Sequence, residues 1–198
     1  MELLIIFLII MIIAGGLKAG TIKQPDTIKV NSEITKKVIS EYDSIVKKYA
    51  IKNNFEYDTD IILAMICLES NGIINNVRLE IGYFNKYILT DDRLKSKLER
   101  LGIYQNNFGS YGLMQVLPST AIGFNNFKSY TDFFNVDKNI DTGIKYLIDR
   151  INYSKKHNSS DHLIYGIMYY NTGSVINMQY YKVVKSYYDD IKRIKNND

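Results

Sequence analysis

The sequence predicts an all-α fold of one domain, on three observations. Apolar residues recur every three or four positions along most of the chain, which is the period of an amphipathic helix. No segment alternates cleanly between apolar and polar residues, as a half-buried strand would. Two prolines in 198 residues leave room for long helices, and 46% hydrophobic residues are enough for a core. We therefore expect a single helical domain.

The first two predicted helices differ in how much of their surface is apolar. One begins with Ser32 in the N-cap position and carries one apolar stripe, formed by Ile34, Val38, Tyr42, Ile45, Val46 and Tyr49. The other begins near Asp58-Thr59, runs through IILAMICLES and ends at Asn71-Gly72, a pair typical of helix ends. Because the second helix is apolar on nearly all sides, we expect it at the centre of the domain.

The remaining elements are predicted in chain order. The segment NNVRLEIGYFNKYILT is ambiguous, DDRLKSKLERLG predicts a short helix ending at Gly102, and IYQNNFGSYG predicts a loop. Pro118 predicts the first turn of another helix. Two longer helices are predicted over DKNIDTGIKYLIDRINY and DHLIYGIMYYN. The last helix has its predicted apolar stripe at Met178, Tyr181, Val184, Tyr188 and Ile191.

The N-terminus predicts export. Residues 1–20 contain an apolar run from Leu3 to about Ala14, which has the length of a signal-peptide core and is short for a membrane span. The start carries Glu2 and no basic residue, against the usual pattern. A cleaved signal peptide and a retained short anchor, with membrane association through residues 3–17, both stay open. Residues 21–31 are a predicted linker to a domain over residues 32–198, located in the periplasm, cell envelope or extracellular space.

The net charge and the cysteine and histidine content limit the partners and the chemistry that the chain is expected to have. The net charge of +4 comes from lysines spread along the chain, which favours anionic partners such as cell-wall polymer over nucleic acid. The single cysteine, Cys67, lies inside an apolar run and is expected to be a buried hydrophobe. His157 and His162 lack partners at ligand spacing, so we predict no metal site and no catalytic cysteine. No cofactor is expected.

Glu69 stands out because it follows the apolar run IILAMICL at the end of a helix. The partial negative charge at a helix C-terminus and the apolar surroundings both disfavour an ionised carboxylate. The pKa of Glu69 should therefore be raised, as a proton donor to a glycosidic oxygen requires. The alternative is a glutamate that reaches solvent from the helix end.

Four motifs follow one another in the order ESNG, SYGLMQVLPSTA, DKNIDTGIKYL and YYNTG. Each is weak alone, but together they resemble the lytic transglycosylase SLT domain, which has a goose-type lysozyme-like fold. The resemblance covers about residues 58–175. It implies that the helix starting near Asn139 and Ile140, with Gly143 downstream, supports the glycan cleft.

The resemblance also implies roles for individual residues. Glu69 would be the sole catalytic acid/base, and the Tyr170 hydroxyl would hydrogen-bond Glu69 or the substrate. The residues implied to bind substrate are Ser70, Met114, Gln115, Tyr170 and Asn171.

The sequence departs from the family pattern between Glu69 and Gly112. These residues are about 40 positions apart, more than in compact members, and the insert contains VRLEIGYF, which resembles a segment of phage-associated members. We expect the insert to reshape the cleft. Within it, Glu80 is interpreted as an ion-pair partner of Arg78 or of a nearby lysine rather than as a second catalytic carboxylate.

The resemblance predicts a peptidoglycan lytic transglycosylase. Such an enzyme cleaves the β-1,4 bond between N-acetylmuramic acid and N-acetylglucosamine and forms a 1,6-anhydro ring, with one glutamate as general acid and base. Two alternatives stay open: a lysozyme-type hydrolase on the same fold, and an inactive glycan-binding envelope module. The combination of Glu69, Gln115 and Tyr170 speaks against the inactive module, because binding alone does not need the acid.

Overall fold

A computed structural model describes residues 28–157, 160–173 and 175–197. The predicted signal or anchor segment (residues 1–20) and most of the predicted linker lie outside these ranges. The helices are α1 (Ser32–Lys52), α2 (Asp60–Ser70), α3 (Asp92–Glu99), α4 (Pro118–Ala121), α5 (Val136–His157), α6 (His162–Thr172) and α7 (Met178–Asn197). Shorter elements are β1 (Val77–Leu79), a helical turn (Ile81–Tyr83) that continues as a π-helix (Phe84–Ile88), β2 (Gly109–Tyr111) and a 3-10 helix (Tyr130–Phe134). The mostly helical prediction is confirmed.

Helix α2 is the centre of the domain, as its composition predicts. Nearly all of its residues are buried, and it packs between α1 and α7, while α5 packs against α6. It ends at Asn71 and Gly72, whose φ angles are 54° and 69°. A side chain at Gly72 would lie 2.8 Å from Val38 of α1, so glycine is required both by the backbone and by the close approach of α1.

The N-cap of α1 is Asn31 rather than Ser32. The Asn31 side chain accepts a hydrogen bond from the Glu33 amide at 3.0 Å. The Ser32 hydroxyl instead donates to Asp190 of α7 at 3.1 Å. Both residues are good N-caps by type, so the sequence leaves the cap ambiguous by one position.

The buried stripe of α7 differs from the predicted one. The structure buries Tyr180, Val184, Tyr187 and Ile191, while Met178 is 49% exposed. Tyrosines occupy both position 180 and position 181, and both 187 and 188, so two stripes of equal period share Val184 and Ile191. Contacts with α2 select the stripe that contains Tyr180, which turns this side chain towards the end of α2.

An ion-pair cluster anchors α7 to the start of α2. The buried carboxylate of Asp60 lies 2.6 Å from the Lys195 ammonium and 2.8 Å from that of Lys192. Lys195 also pairs with Asp43 of α1 at 2.5 Å. These contacts fix the rotation of α7 about its own axis.

The insert contains a small two-stranded antiparallel sheet, formed by β1 and β2. β1 pairs with β2 so that Arg78 is opposite Ser110, and the loop predicted over residues 103–112 is therefore wrong for Gly109–Tyr111. A side chain at Gly109 would lie 2.4 Å from the Arg78 carbonyl oxygen, so glycine permits this pairing. Strands of three residues are too short to show an alternating pattern, which is why the sequence did not predict them.

Candidate active site

A cleft of about 260 Å³ opens beside the C-terminal end of α2. Its walls come from the β1–β2 sheet, the segment that leads into α4, the middle of α5 and the end of α6. Its polar and aromatic lining includes Glu69, Arg78, Glu80, Tyr83, Ser110, Gln115, Thr120, Tyr146, Tyr170 and Asn171. The cleft thus collects residues from motifs that are far apart in the sequence.

Glu69 lies in the last turn of α2 with its side chain only 4% exposed. The Tyr180 hydroxyl donates a hydrogen bond of 2.6 Å to its Oε1, and the Arg78 Nη1 lies 3.7 Å from its Oε2. Burial raises the pKa of Glu69, while the hydrogen bond from Tyr180 and the charge of Arg78 offset part of that rise. The carboxyl group is therefore shifted towards its protonated form, as the apolar run before it predicts.

Tyr180 is the residue that the sequence prediction missed. Burial and the neighbouring Glu69 charge raise its pKa well above the usual range, so its hydroxyl stays a donor to Glu69. The resemblance implied a hydrogen bond to Glu69, or to the substrate, for Tyr170. A signal was present, because Tyr180 has the same spacing to Val184 and Ile191 as a stripe residue, but the neighbouring Tyr181 fits almost as well.

Tyr170 lines the cleft, but its hydroxyl does not bind Glu69. It donates to the Met114 carbonyl oxygen at 2.7 Å, which ties α6 to the segment that carries Gln115. Burial, and then the Glu69 charge, raise the pKa of Tyr170 well above its usual range. Its neighbour Asn171 also lines the cleft, and its Oδ1 accepts a hydrogen bond from Asn177 at 2.8 Å.

Gln115 lines the cleft in an uncommon backbone conformation, with φ at 45°. Both N–H bonds of its side-chain amide are used, in contacts of 3.1 Å to the Asn76 carbonyl oxygen and 2.8 Å to that of Gly112. Its Oε1 accepts from the Ser110 hydroxyl at 3.0 Å. A non-glycine residue in this region costs of order 1–3 kcal/mol, and these contacts hold it there. Its predicted substrate contact stays a prediction.

Met114 and Ser70, both predicted to bind substrate, lie outside the cleft lining. Met114 is fully buried. Its side chain fills the space over Gly143, where an added Cβ would lie 2.2 Å from the sulfur. Ser70 is 1% exposed, and its hydroxyl donates to the Ile66 carbonyl oxygen within α2 at 3.1 Å. In the structure Met114 packs α5 against the cleft wall, and Ser70 closes the last turn of α2. Their substrate contacts stay predictions.

Arg78, in β1, and Glu80, directly after β1, extend into the cleft. The Arg78 Nε donates to the Glu80 Oε1 at 3.0 Å, which confirms the predicted ion pair. Among the lining residues that the structure describes, Glu80 is the other carboxylate besides Glu69. Arg78 thus stands beside two glutamates that come from α2 and from the insert.

In the described part of the chain, no group of three or more histidine, cysteine, aspartate or glutamate side chains is placed so that it could hold a metal ion. Burial raises the pKa of the Cys67 thiol to about 12, which makes it unreactive. Within the described ranges, none of the helices combines the length and apolarity needed to cross a membrane.

A helical domain whose central helix ends with a buried acid at a polar cleft is the arrangement of lysozyme-like, glycan-cleaving proteins. The Transglycosylase SLT domain family matches residues 48–192, which is most of the chain. The chain belongs to this family, and the family activity is lytic-transglycosylase-type cleavage of peptidoglycan. No curated protein matches the chain.

Proposed function

We propose that the chain is a peptidoglycan lytic transglycosylase that uses Glu69 as its single general acid and base. The bond broken is the β-1,4 bond from N-acetylmuramic acid to N-acetylglucosamine. The observation that carries the proposal is the position of Glu69, buried at the cleft with a raised pKa and held by the Tyr180 hydroxyl.

The first step in this proposal is proton donation. Tyr180 donates to Oε1, which leaves Oε2 as the oxygen that holds the acid proton. That proton passes to the glycosidic oxygen as the bond to C1 of muramic acid breaks, and N-acetylglucosamine leaves with a free hydroxyl. Positive charge develops at C1 while Glu69 becomes a carboxylate, which the Tyr180 hydrogen bond stabilises.

The second step restores the enzyme. The Glu69 carboxylate accepts the proton of the C6 hydroxyl of the same muramic acid, and the C6 oxygen bonds to C1. The product carries a 1,6-anhydro ring, no water is consumed and Glu69 is protonated again. This chemistry needs one carboxyl group, because a substrate hydroxyl replaces the water that a hydrolase activates with a second carboxylate.

The presence of Glu80 in the cleft gives one argument for the alternative, a hydrolase. A second carboxyl group such as Glu80 is the kind of residue that glycoside hydrolases use as the general base for water. Against this, the Arg78 Nε already donates to the Glu80 Oε1 at 3.0 Å, so that this oxygen is occupied by the ion pair. The transglycosylase is therefore the better-supported function.

Mass spectrometry of the fragments released from purified peptidoglycan tests the proposal. We expect fragments ending in 1,6-anhydro-muramic acid, lighter by one water than reducing ends, and none from Glu69→Gln. Reducing ends would mean a hydrolase, for which Glu80→Gln should then be inactive. Turnover by folded Glu69→Gln would refute the role of Glu69. An absence of products from both proteins would favour the glycan-binding module.

A further inference from the structure

Arg78 is held at the cleft by the backbone pairing of β1 with β2. Its strand partner is Ser110, and the adjacent Gly109 leaves no room for a side chain over the Arg78 carbonyl oxygen. The Glu80 amide donates to the Phe108 carbonyl oxygen at 2.9 Å, which extends the pairing by one residue. The backbone of Arg78 is therefore fixed while its side chain projects into the cleft.

The Arg78 guanidinium is only partly engaged. Its side chain is 53% exposed, and its Nε is used by Glu80. The Nη1 is 3.7 Å from Glu69, which is longer than a hydrogen bond, so this contact is an ion pair without close geometry. A guanidinium binds a carboxylate best through two parallel N–H bonds, and the two Nη groups offer such an edge to a ligand in the cleft.

The substrate of the proposed function carries carboxylates on its muramic acid. The lactyl group ends in a carboxylate where the stem peptide is absent, and the stem peptide ends in one where it is present. Resting on that proposed function, we propose that Arg78 binds a carboxylate on the muramyl side of the substrate and gives up its ion pair with Glu69 when it does so. Arg78 is then a specificity-determining residue that couples substrate recognition to the charge of the acid.

The exchange of partners has a consequence for Glu69. The charge of Arg78 favours the ionised form of Glu69, which is the form that cannot donate a proton. When the guanidinium turns to the substrate, the pKa of Glu69 rises further and the group takes up a proton. The other titratable side chains that line the cleft are Glu80 and Tyr83 of the insert, Tyr146 of α5 and Tyr170 of α6. In addition, Tyr180 of α7 contacts Glu69 itself. Of these, Tyr180 donates to Oε1, whereas Arg78 lies beside Oε2.

Calorimetric binding of ligands that lack the scissile bond tests the proposal. The disaccharide of N-acetylglucosamine linked to N-acetylmuramic acid is used in three forms: with a free lactyl carboxylate, with that carboxylate converted to an amide, and with a stem dipeptide ending in a carboxylate. The proteins are the wild type, Arg78→Gln, Arg78→Lys and, as a matched control on the exposed face of α3, Arg93→Gln. Repeating each titration in buffers of different ionisation enthalpy gives the number of protons taken up.

We expect the wild type and Arg93→Gln to bind a carboxylate form about 10-fold more tightly than the amide, with proton uptake. Preference for the lactyl form or for the dipeptide form identifies which carboxylate is bound. Arg78→Gln should lose the preference and the proton uptake, and Arg78→Lys should keep part of the preference. A preference that survives in folded Arg78→Gln, or no preference in the wild type, would overturn the proposal. Wild type that binds these ligands but releases no fragments from peptidoglycan would instead contradict the proposed function.

Discussion

The replacement Tyr180→Phe removes the hydroxyl that donates to Glu69 and leaves the ring in place. The lost contact is a 2.6 Å hydrogen bond to a group that is a carboxylate after the first step of the proposed reaction. Hydrogen bonds to charged groups contribute about 1.5–3 kcal/mol. Because this stabilisation is present once Glu69 is ionised and weaker while it is protonated, the rate should fall about 10- to 100-fold.

The same replacement should shift the pH dependence of the reaction in a defined direction. Glu69 must be protonated for the first step, so the rate falls as the pH rises through its pKa. The Tyr180 hydrogen bond lowers that pKa, and its loss therefore moves the alkaline limb of the profile to higher pH. Fragment release from peptidoglycan, followed across the neutral range, measures both effects.

The matched control is Tyr187→Phe, two turns further along α7, where a buried tyrosine lies away from the lining of the cleft. We expect its rate and pH profile to stay close to those of the wild type. If Tyr180→Phe has the same rate and the same alkaline limb as the wild type, the reasoning on the Glu69 hydrogen bond is wrong. If the alkaline limb shifts in Tyr170→Phe but not in Tyr180→Phe, then Tyr170 rather than Tyr180 is the hydrogen-bond donor to Glu69.

Three further predictions concern stability. Glu69→Gln should be more stable than the wild type at neutral and alkaline pH, because the folded wild type loses stability as the pH rises through the raised pKa of Glu69. Thermal melts should show that the difference in melting temperature between the two proteins closes in acid. A difference that does not change with pH would contradict this. Met114→Ala should lower the free energy of unfolding by about 2–5 kcal/mol through a core cavity, as measured by denaturant titration. A loss of glycan binding without a loss of stability would contradict this and support Met114 as a substrate contact. Gly72→Ala should cost at least about 1 kcal/mol, because of its positive φ and the contact with Val38, whereas Gly82→Ala, with open space around it, should be neutral or stabilising; equal melting temperatures would refute the packing argument.

Much of the helical framework was predictable because each helix carries its own local signals. The end of α2 at Asn71-Gly72, the start of α4 at Pro118 and the central place of α2 all follow from residue type and period. The β1–β2 sheet was not predictable, since its strands of three residues are paired across an intervening segment of about 30 residues. Pairing over such a distance depends on contacts that a local pattern does not contain.

The candidate site divides in a similar way. Glu69 could be chosen as the candidate acid from its place after an apolar run, and Gln115, Tyr170 and Asn171 from motifs whose positions the structure brings to one cleft. Met114 and Ser70 belong to the same motifs but face the protein interior, because neighbouring residues in a turn or a helix point in different directions. A motif therefore locates the segment, and the backbone decides which of its side chains reach the cleft.

The sequence by itself determined the fold class, the order of the helices, the family resemblance and the candidate for the acid, because all four depend on residue type and spacing along the chain. The tertiary structure decided which groups surround that acid. Tyr180 reaches Glu69 because the Asp60 ion pairs and the packing against α2 set the rotation of α7, and Arg78 reaches it because strand pairing aims the insert at the cleft. The protonation of Glu69 depends on burial and on charges that arrive from distant parts of the chain, and only the folded chain brings them together.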